Sequence, residues 1–496
     1  MKPGRLLPAF ALFVCLTAPA LATTHYVNLN NHSSTSPYTN WPAAATNIQD
    51  AIDASGPGDL ILVTNGLYHT GSRTANDSTP CRVVLDKPLT VRSLNGPEAT
   101  VIEGNSQPGQ FRFSLDSVRC AYMTNGATLI GFTLTNGSVR ATSYLNLSDL
   151  GGGAYCESTS AVLSNCVIIN CAAYAGGGAQ GGTFFHCLIT NCVGHIGGGG
   201  VQSGILDRCE VIWNTSDYFA GGLYVCQATN CNINYNLGLF GGGAYGGSIS
   251  QCTVSGNYAA SSPALGGGYG GGLNGVDANN SIIYYNVAAS GGDDTVNGTF
   301  TNCCSSSLPT SSGNITNAPL FIDDFDVPGN FHLQSNSPCI NAGNNALTRG
   351  PTDLDGRRRI VGPKVDIGAY EFQGAKTNDF LRWLWTYYLP TDISADFADP
   401  DGDGMNNWQE WRAGTVPTDA SSVLKILSLS RNVSGMAVSW QSVSNVIYYL
   451  QRRANLGVSS SFSSVKSNIV GQAGMTTNKD ASVTGSGPFF YRVGVQ

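Results

Sequence analysis

Between Gly151 and Phe300 the chain repeats one short pattern of constant apolar and variable positions. The copies read Cys166-Val167-Ile168, Cys187-Leu188-Ile189, Cys209-Glu210-Val211, Cys231-Asn232-Ile233, Cys252-Thr253-Val254 and Ser281-Ile282-Ile283. The first residue is always small and the third always β-branched, while the middle one runs from Val and Leu through Glu to Asn and Thr. Side chains alternate along a strand, so the constant pair predicts a narrow inward face and the variable residue an outward one. Each copy is a strand a few residues long, and the glycine load between copies excludes a helical repeat.

The first-ladder positions 166, 187, 209, 231 and 252 advance by 21, 22, 22 and 21 residues, and Ser281 follows 29 later because "SSPALGGGY" is inserted. A glycine lies ten residues before each later copy, at Gly177, Gly199, Gly221, Gly242 and Gly271, and Gly152 precedes Cys166 with a short insertion at "ESTSA". Five residues beyond the first ladder runs a second: Cys171, Cys192, Asn214, Asn236, Asn257 and Asn286. A period near 22 residues with strand-like alternation predicts an all-β solenoid whose stacked coils each add one rung to parallel sheets. Six coils at the ~4.8 Å strand spacing make a column roughly 29 Å long. The glycines belong at cramped corners, and stacked Asn at the other corner can form an amide ladder along the axis.

The flanks carry different patterns. "NWPAAATNIQDAIDASGPGDLILVTNGLYHT" reads as an amphipathic helix, a strand and a turn, and "PLTVRSLNGPEATVIEG" as further strands. At the other end "NDFLRWLWTYYL" reads as a helix. "VLKILSLSRN", "GMAVSWQSV", "VIYYLQRRANL" and "PFFYRVGVQ" read as strands of a small β-sandwich, with Trp440, Tyr448 and Tyr449 as core rather than a sugar platform. The predicted segments are 1–22, a leader; 23–145, a cap and first coils; 146–300, the glycine-rich coils; 301–373, a closing segment; 374–422, a helix and an acidic loop; and 423–496, the sandwich.

Composition narrows the partners. Only 11% of the 496 residues are charged and the net charge is -7, without a basic block, which excludes nucleic acid and anionic membranes as ligands. Lys2 and Arg5 precede an apolar run from Leu6 to Leu16, and Ala20-Leu21-Ala22 supplies a cleavage site after Ala22, so a secreted or cell-surface protein is expected. Val14 before Cys15 argues against a lipoprotein, and no later stretch is apolar for long enough to span a bilayer. Fourteen cysteines follow the leader. Parallel in-register neighbours keep their Cβ atoms near ~4.8 Å, beyond the ~3.5–4.5 Å of a disulfide, so the ladder cysteines are expected as buried thiols. No CxxC occurs and His186 and His195 are isolated, which disfavours a metal among them, while the pairing of Cys81, Cys120, Cys303, Cys304 and Cys339 stays open.

The entry segment and the coils together resemble the right-handed parallel β-helix proteins of the bacterial pectin-lyase-like superfamily, in which a helix caps the open end of the column. "GNITNAPLFIDDFDVPGNFHLQSNSPCINAG", "DLDGRRRIVG" and "VDIGAYEFQ" resemble the closing segment called the choice-of-anchor Q domain. The resemblance spans about residues 24–373 and implies a right-handed β-helix in an exported protein. Relatives include polysaccharide lyases and glycoside hydrolases.

For catalysis the best local candidate is Asp293-Asp294 in "GGDDTV", which resembles the paired aspartates of polygalacturonase-like hydrolases. The third aspartate, the G-H-G and the R-I-K of that group are absent, so a hydrated loop ending the last coil is the competing account. A lyase needs a basic residue, yet Arg208 is the only Arg or Lys between Gly151 and Phe300, and it is expected to pair at the surface beside Asp207 and Glu210. A neutral glycan would stack on Trp213, Tyr235 and Tyr285, each four residues after its ladder position, although strict alternation turns them inward.

"DPDGDGMNNWQE" fits a calcium loop at every position: Asp399, Asp401 and Asp403 at one, three and five, Gly404 at six, the Met405 carbonyl at seven, Asn407 at nine and Glu410 at twelve. The loop resembles those of dockerins and EF-hands, which occur in pairs, whereas this chain has one; "DLDGRRR" lacks the third acidic ligand and the closing Glu. A structural Ca2+ is expected there, with a solvated acidic loop as the alternative. The function expected from all of this is a monomeric secreted or cell-surface scaffold for adhesion or carbohydrate binding, partnered by an extracellular polysaccharide or a cell-surface component and without catalysis. A polysaccharide lyase or glycoside hydrolase is the alternative.

Overall fold

The computed structural model describes residues 22–75, 79–105, 116–139, 149–323, 329–373, 380, 383–384, 386–389, 398–432, 435–453, 462–483 and 487–495; the expected leader at 1–21 lies outside the described residues. Two compact units divide between Phe372 and Gln373. Among the described residues no helix is long and apolar enough to cross a membrane.

The first unit is a right-handed parallel β-helix with three sheets of 19, 9 and 6 strands. A typical coil adds two short strands or one longer strand to the first sheet and one to the second, and the third sheet is joined only from Ala172–Ala175 onward. Register on the second sheet follows the sequence repeat: Val167, Leu188, Glu210, Asn232, Thr253 and Ile282 are successive partners. Inside, Cys166, Ile168, Cys187, Ile189, Cys209, Val211, Cys231, Ile233, Cys252 and Val254 join one apolar core, as the alternation predicts. All fourteen cysteines in the described residues are buried free thiols. The helix Ile48–Ala54, capped by the Asn47 side chain, buries Ile48, Ala51 and Ile52 against the first rungs.

The corners explain both ladders. Residues in the left-handed region, among them Arg208, Asn230, Gln251 and Asn280, directly precede the first ladder, and Asn191, Trp213, Tyr235 and Tyr285 precede the second. After such a turn the next side chain points inward at the bend, where its rung's backbone needs partners. Cys209 N donates to Cys231 Sγ at 3.4 Å, and Cys252 N to Ser281 Oγ at 3.0 Å. In the second ladder each amide reaches the next: Asn214 Nδ2 to Asn236 Oδ1 at 3.1 Å, Asn236 to Asn257 at 3.0 Å and Asn257 to Asn286 at 2.9 Å. At the third corner a Cβ on Gly199 would overlap the carbonyls of Thr215 and Gly221, so glycine there is a packing requirement.

The expectation that the middle position of every copy faces solvent fails for the last three coils. Glu210 is exposed, but Asn232, Thr253 and Ile282 are buried, because the closing segment folds back as a strap along the outside of the second sheet. Asn232 Nδ2 donates to Tyr370 Oη at 2.8 Å, Ala369 N donates to Thr253 Oγ1 at 3.1 Å, and Ile282 packs with Phe321, Phe331, Cys339 and Ile367. The polar corner residues hold the same strap: Arg208 Nη1 donates to Thr352 Oγ1 at 3.1 Å, Gln251 Oε1 accepts from Arg349 N, and Asn280 Oδ1 accepts from Asn344 N at 2.8 Å. Within the strap Arg359, 1% exposed, donates to the carbonyls of Asp366 and Gly368 and lies among the buried carboxylates of Asp353, Asp366 and Glu371.

The second unit contains the helix Asn407–Ala413 and two three-stranded antiparallel sheets. Their strands enclose a core of Val438, Trp440, Tyr448, Leu450 and Ile469, in which Trp440 and Tyr448 meet edge on at 5.9 Å. Of the residues expected in the sandwich core, Trp440 and Tyr448 are there, whereas Tyr449 alternates to the other face of its strand and is only half-buried.

Candidate functional site

Asp293 and Asp294 do not form a pair of free carboxylates. Asp294 is buried, and its Oδ1 accepts from both Asn286 N and Nδ2 at 3.2 Å, while Oδ2 accepts from Ser305 Oγ at 3.1 Å and Ser306 Oγ at 2.9 Å. It is the terminal acceptor of the amide ladder, standing where the next asparagine would be. Burial raises its pKa against these hydrogen bonds. Asp293, on the exposed side, accepts from Ala288 N at 2.9 Å. The loop is therefore hydrated at one aspartate only, and both have backbone-holding partners.

Trp213, Tyr235 and Tyr285 point outward, against the alternation rule. Each has positive φ (60°, 56° and 63°), so the strand ends one residue earlier and the period-two count no longer applies. Trp213 is 41% and Tyr285 42% exposed. The Trp213 and Tyr235 rings stack at 5.0 Å with 14° between planes, and a side chain on Gly256 in the next rung would strike the Tyr235 ring. The strip continues onto the strap through Phe331, 6.2 Å from Tyr235.

A larger aromatic surface lies at the corner between the third and first sheets. Phe219 is its centre, with ring centroids 4.6 Å from Tyr218, 5.2 Å from Tyr224 and 4.8 Å from Tyr245. Phe240 lies 5.4 Å from Tyr218 and 6.4 Å from Tyr269, which is 45% exposed. None of the six rings is buried. Tyr224 and Tyr245 belong to a column of outward residues on the first sheet, in register with Gln180 and Gln202, each three residues after its repeat glycine, Gly177, Gly199, Gly221 or Gly242. That offset was readable in the sequence; the approach of Phe219 and Phe240 from the neighbouring corner was not.

Further along the same two strands, Leu223–Thr229 and Ala244–Ser250, a groove of about 460 Å³ is lined by Asp207, Gln227, Ser248, Ser250, Asn279 and Arg349. Asp207 is engaged by Arg208 at 3.0 Å, as expected of surface pairing. Hydroxyls and amides share the rest with Ile205, Leu206, Ala228 and Ile249, a mixed lining suited to a hydroxylated ligand with an apolar face.

The acidic loop is wound as its glycines allow, with φ of 75° at Gly402 and 93° at Gly404. Asp399 accepts from Gly402 N at 2.9 Å and Gly404 N at 3.0 Å, and Asp403 from Met405 N at 2.7 Å. Oxygens of Asp399, Asp401 and Asp403 all lie within 4.8 Å of one another. Glu410, on the capped helix Asn407–Ala413, is 0% exposed; burial, then the charges of Asp401 and Asp403, push its carboxyl up to about 7.

No protein-family model and no curated protein matches the chain, so the choice-of-anchor and dockerin resemblances have no counterpart there. Solved structures with similar backbones include pectate lyase Pel9A, 17% identical, over 71% of this chain and 97% of that one at a TM-score of 0.47. A rhamnogalacturonan lyase is 14% identical over 57% and 87% at 0.34, and a bacteriophage tailspike protein from Escherichia coli O157:H7 phage CAB120 is 9% identical over 88% and 56% at 0.25.

Proposed function

We propose that the protein is an extracellular carbohydrate-binding scaffold that holds a neutral glycan on the outside of its β-helix. The observation that supports this most is the six-ring surface around Phe219 beside a groove of hydroxyls and amides. Pyranose rings present C–H faces that pack on aromatic rings and hydroxyl edges that seek amide and hydroxyl partners, so the two linings match the two sides of a sugar. Charge favours a neutral chain: the groove carries one acid, Asp207, engaged by Arg208, and one further base, Arg349, and Arg208 is the only Arg or Lys of the coils between Gly151 and Phe300. Of the two aspartates that offered the best hydrolytic pair, Asp294 is buried at the end of the amide ladder and Asp293 holds the Ala288 N–H, so binding without turnover is the preferred reading.

A screen of soluble neutral and acidic polysaccharides by affinity electrophoresis, run with a reducing-end release assay, tests the proposal. Wild type is expected to be retarded by a neutral glycan without releasing product. The double variant Phe219→Ala/Tyr245→Ala should bind about tenfold or more weakly, or roughly 1.4 kcal/mol or more. Undiminished binding by a folded double variant would remove this surface from the proposal, and product release by wild type would remove the non-catalytic reading.

A further inference from the structure

We propose that the loop Asp399–Glu410 binds one Ca2+ and that the ion braces the β-sandwich of the second unit. Clustered carboxylates alone are common on protein surfaces. Here the closing residue makes the difference. Glu410 is fully buried, its Oε1 is 3.4 Å from Thr415 Oγ1, and its Oε2 has no hydrogen-bond partner, nor do the buried Oδ2 atoms of Asp401 and Asp403. A buried carboxylate oxygen without a partner is costly, and three converging acidic groups repel one another unless a cation lies between them. Backbone N–H groups two to five residues ahead already engage both oxygens of Asp399 and Oδ1 of Asp401 and Asp403, which leaves Asp401 Oδ2, Asp403 Oδ2 and Glu410 Oε2 as the open ligand oxygens. An all-oxygen donor set of this size and spacing suits Ca2+ better than the smaller Mg2+, which prefers a stricter octahedron and retained waters.

The brace follows from what the loop leans on. Paired calcium loops support each other, and this chain has a single loop. Met405, at the position that offers its carbonyl, accepts Leu424 N on its sulfur at 3.3 Å, and Leu424 packs against the sandwich core around Trp440. At the far end of the helix Gly414, in the left-handed region, sits against Val443 and Val446 of the sandwich. Both ends of the loop-helix element thus rest on the β-sandwich. Trp408 and Trp411 lie on the same helix, 5.1 Å and 5.4 Å from Phe380, so indole fluorescence reports its order.

The test is titration of the full chain with CaCl2 by calorimetry and indole fluorescence, with MgCl2 as the control, and thermal unfolding of the same samples. One Ca2+ per chain is expected, with Ca2+ raising the unfolding midpoint of the sandwich by about 5 °C or more at saturation. Glu410→Gln and Asp403→Ala should each weaken binding at least tenfold and abolish that shift. Terbium luminescence sensitised by Trp408 or Trp411 in wild type, displaced by CaCl2, gives a reading that needs no variant. Absence of a calcium isotherm and of terbium emission overturns the site. Binding that persists in both variants, or equal binding of Mg2+, overturns the ligand assignment, and saturation without a change in the sandwich midpoint overturns the brace.

Discussion

On the second sheet the outward positions of three successive coils, Asn232, Thr253 and Ile282, lie beneath the strap, whereas on the first sheet the outward Gln202, Tyr224 and Tyr245 stay half exposed. The same repeat produced both columns. Inside, the coils need a small residue at the bend and a branched one beside it, and any deviation is felt by the rungs above and below. Outside, each rung is free to differ, so one face acquired amides and a threonine that the strap can bond, and the other acquired rings. Self-contact on one face and an uncovered aromatic surface on the other separate an exterior that stabilises the column from one on which the proposed glycan would rest.

The largest way to break this contrast is to release the strap. Arg359→Met removes the guanidinium that lies among Asp353, Asp366 and Glu371 and leaves their buried carboxylates without its charge. A loss of about 3–5 kcal/mol is expected, as for one partner stripped from a buried ionic cluster. Calorimetry measures the loss, and limited proteolysis should show cleavage within residues 344–372 while the coils remain protected. Because Arg349 of the strap also lines the groove, glycan binding by this variant should weaken on the groove side, and full retention where the coils are folded would place the binding on the rings around Phe219 alone.

Next in size is the end of the amide ladder. Asp294→Ala deprives Asn286 of its acceptor and leaves the Ser305 and Ser306 hydroxyls facing an apolar methyl, which should cost about 2–3 kcal/mol. Asp294→Asn keeps a carbonyl oxygen for Asn286 and should lose roughly half of that or less. Equal losses would mean that the charge, not the acceptor geometry, is what the last coil uses.

Acidity sharpens the strap further. Burial, then the Asp355 charge, pushes Asp353 up to about 6, and burial, then Asp366, pushes Glu371 up to about 7. The unfolded chain releases these protons near pH 4. From there to about pH 7 the folded strap holds protons that the unfolded chain has lost, so these two groups make stability fall as pH rises, with no further change above about pH 7. The effect is at most about 3 kcal/mol per group. Asp353→Asn should flatten its share of the slope between pH 4 and 6 in a series of thermal melts, and an unchanged slope would show that Asp353 stays ionised in the fold.

The interior was legible because a stacked coil writes its requirements into every copy. The Cys and Asn ladders, the β-branched positions and the glycine corners were read at their correct places from spacing alone. Two things were hidden. A residue such as Trp213 occupies the left-handed region, and nothing in its own type announces that, whereas the equivalent Asn170 and Asn191 are of the type that visits this region most readily. The strap pairs residues far apart in sequence, such as Asn232 with Tyr370 and Thr253 with Ala369, with no repeat to give the register. The acidic pattern lies within twelve consecutive residues, and the fold gathers oxygens of Asp399, Asp401 and Asp403 as that spacing expects; what the sequence withheld was the sandwich surface the loop rests on.

The smallest expected effect decides the most about chemistry. Asp293 is exposed and accepts one backbone N–H, that of Ala288. Asp293→Asn preserves an oxygen acceptor there, so stability should change by less than about 0.5 kcal/mol. On the binding reading the variant should also hold glycan as wild type does, because Asp293 is in neither the aromatic surface nor the groove. On the hydrolytic reading a carboxylate is indispensable, and the amide would abolish any product release while leaving the melt unchanged. A variant that is silent in stability, binding and product release together leaves the rings around Phe219 as the feature of the β-helix that ligand binding depends on.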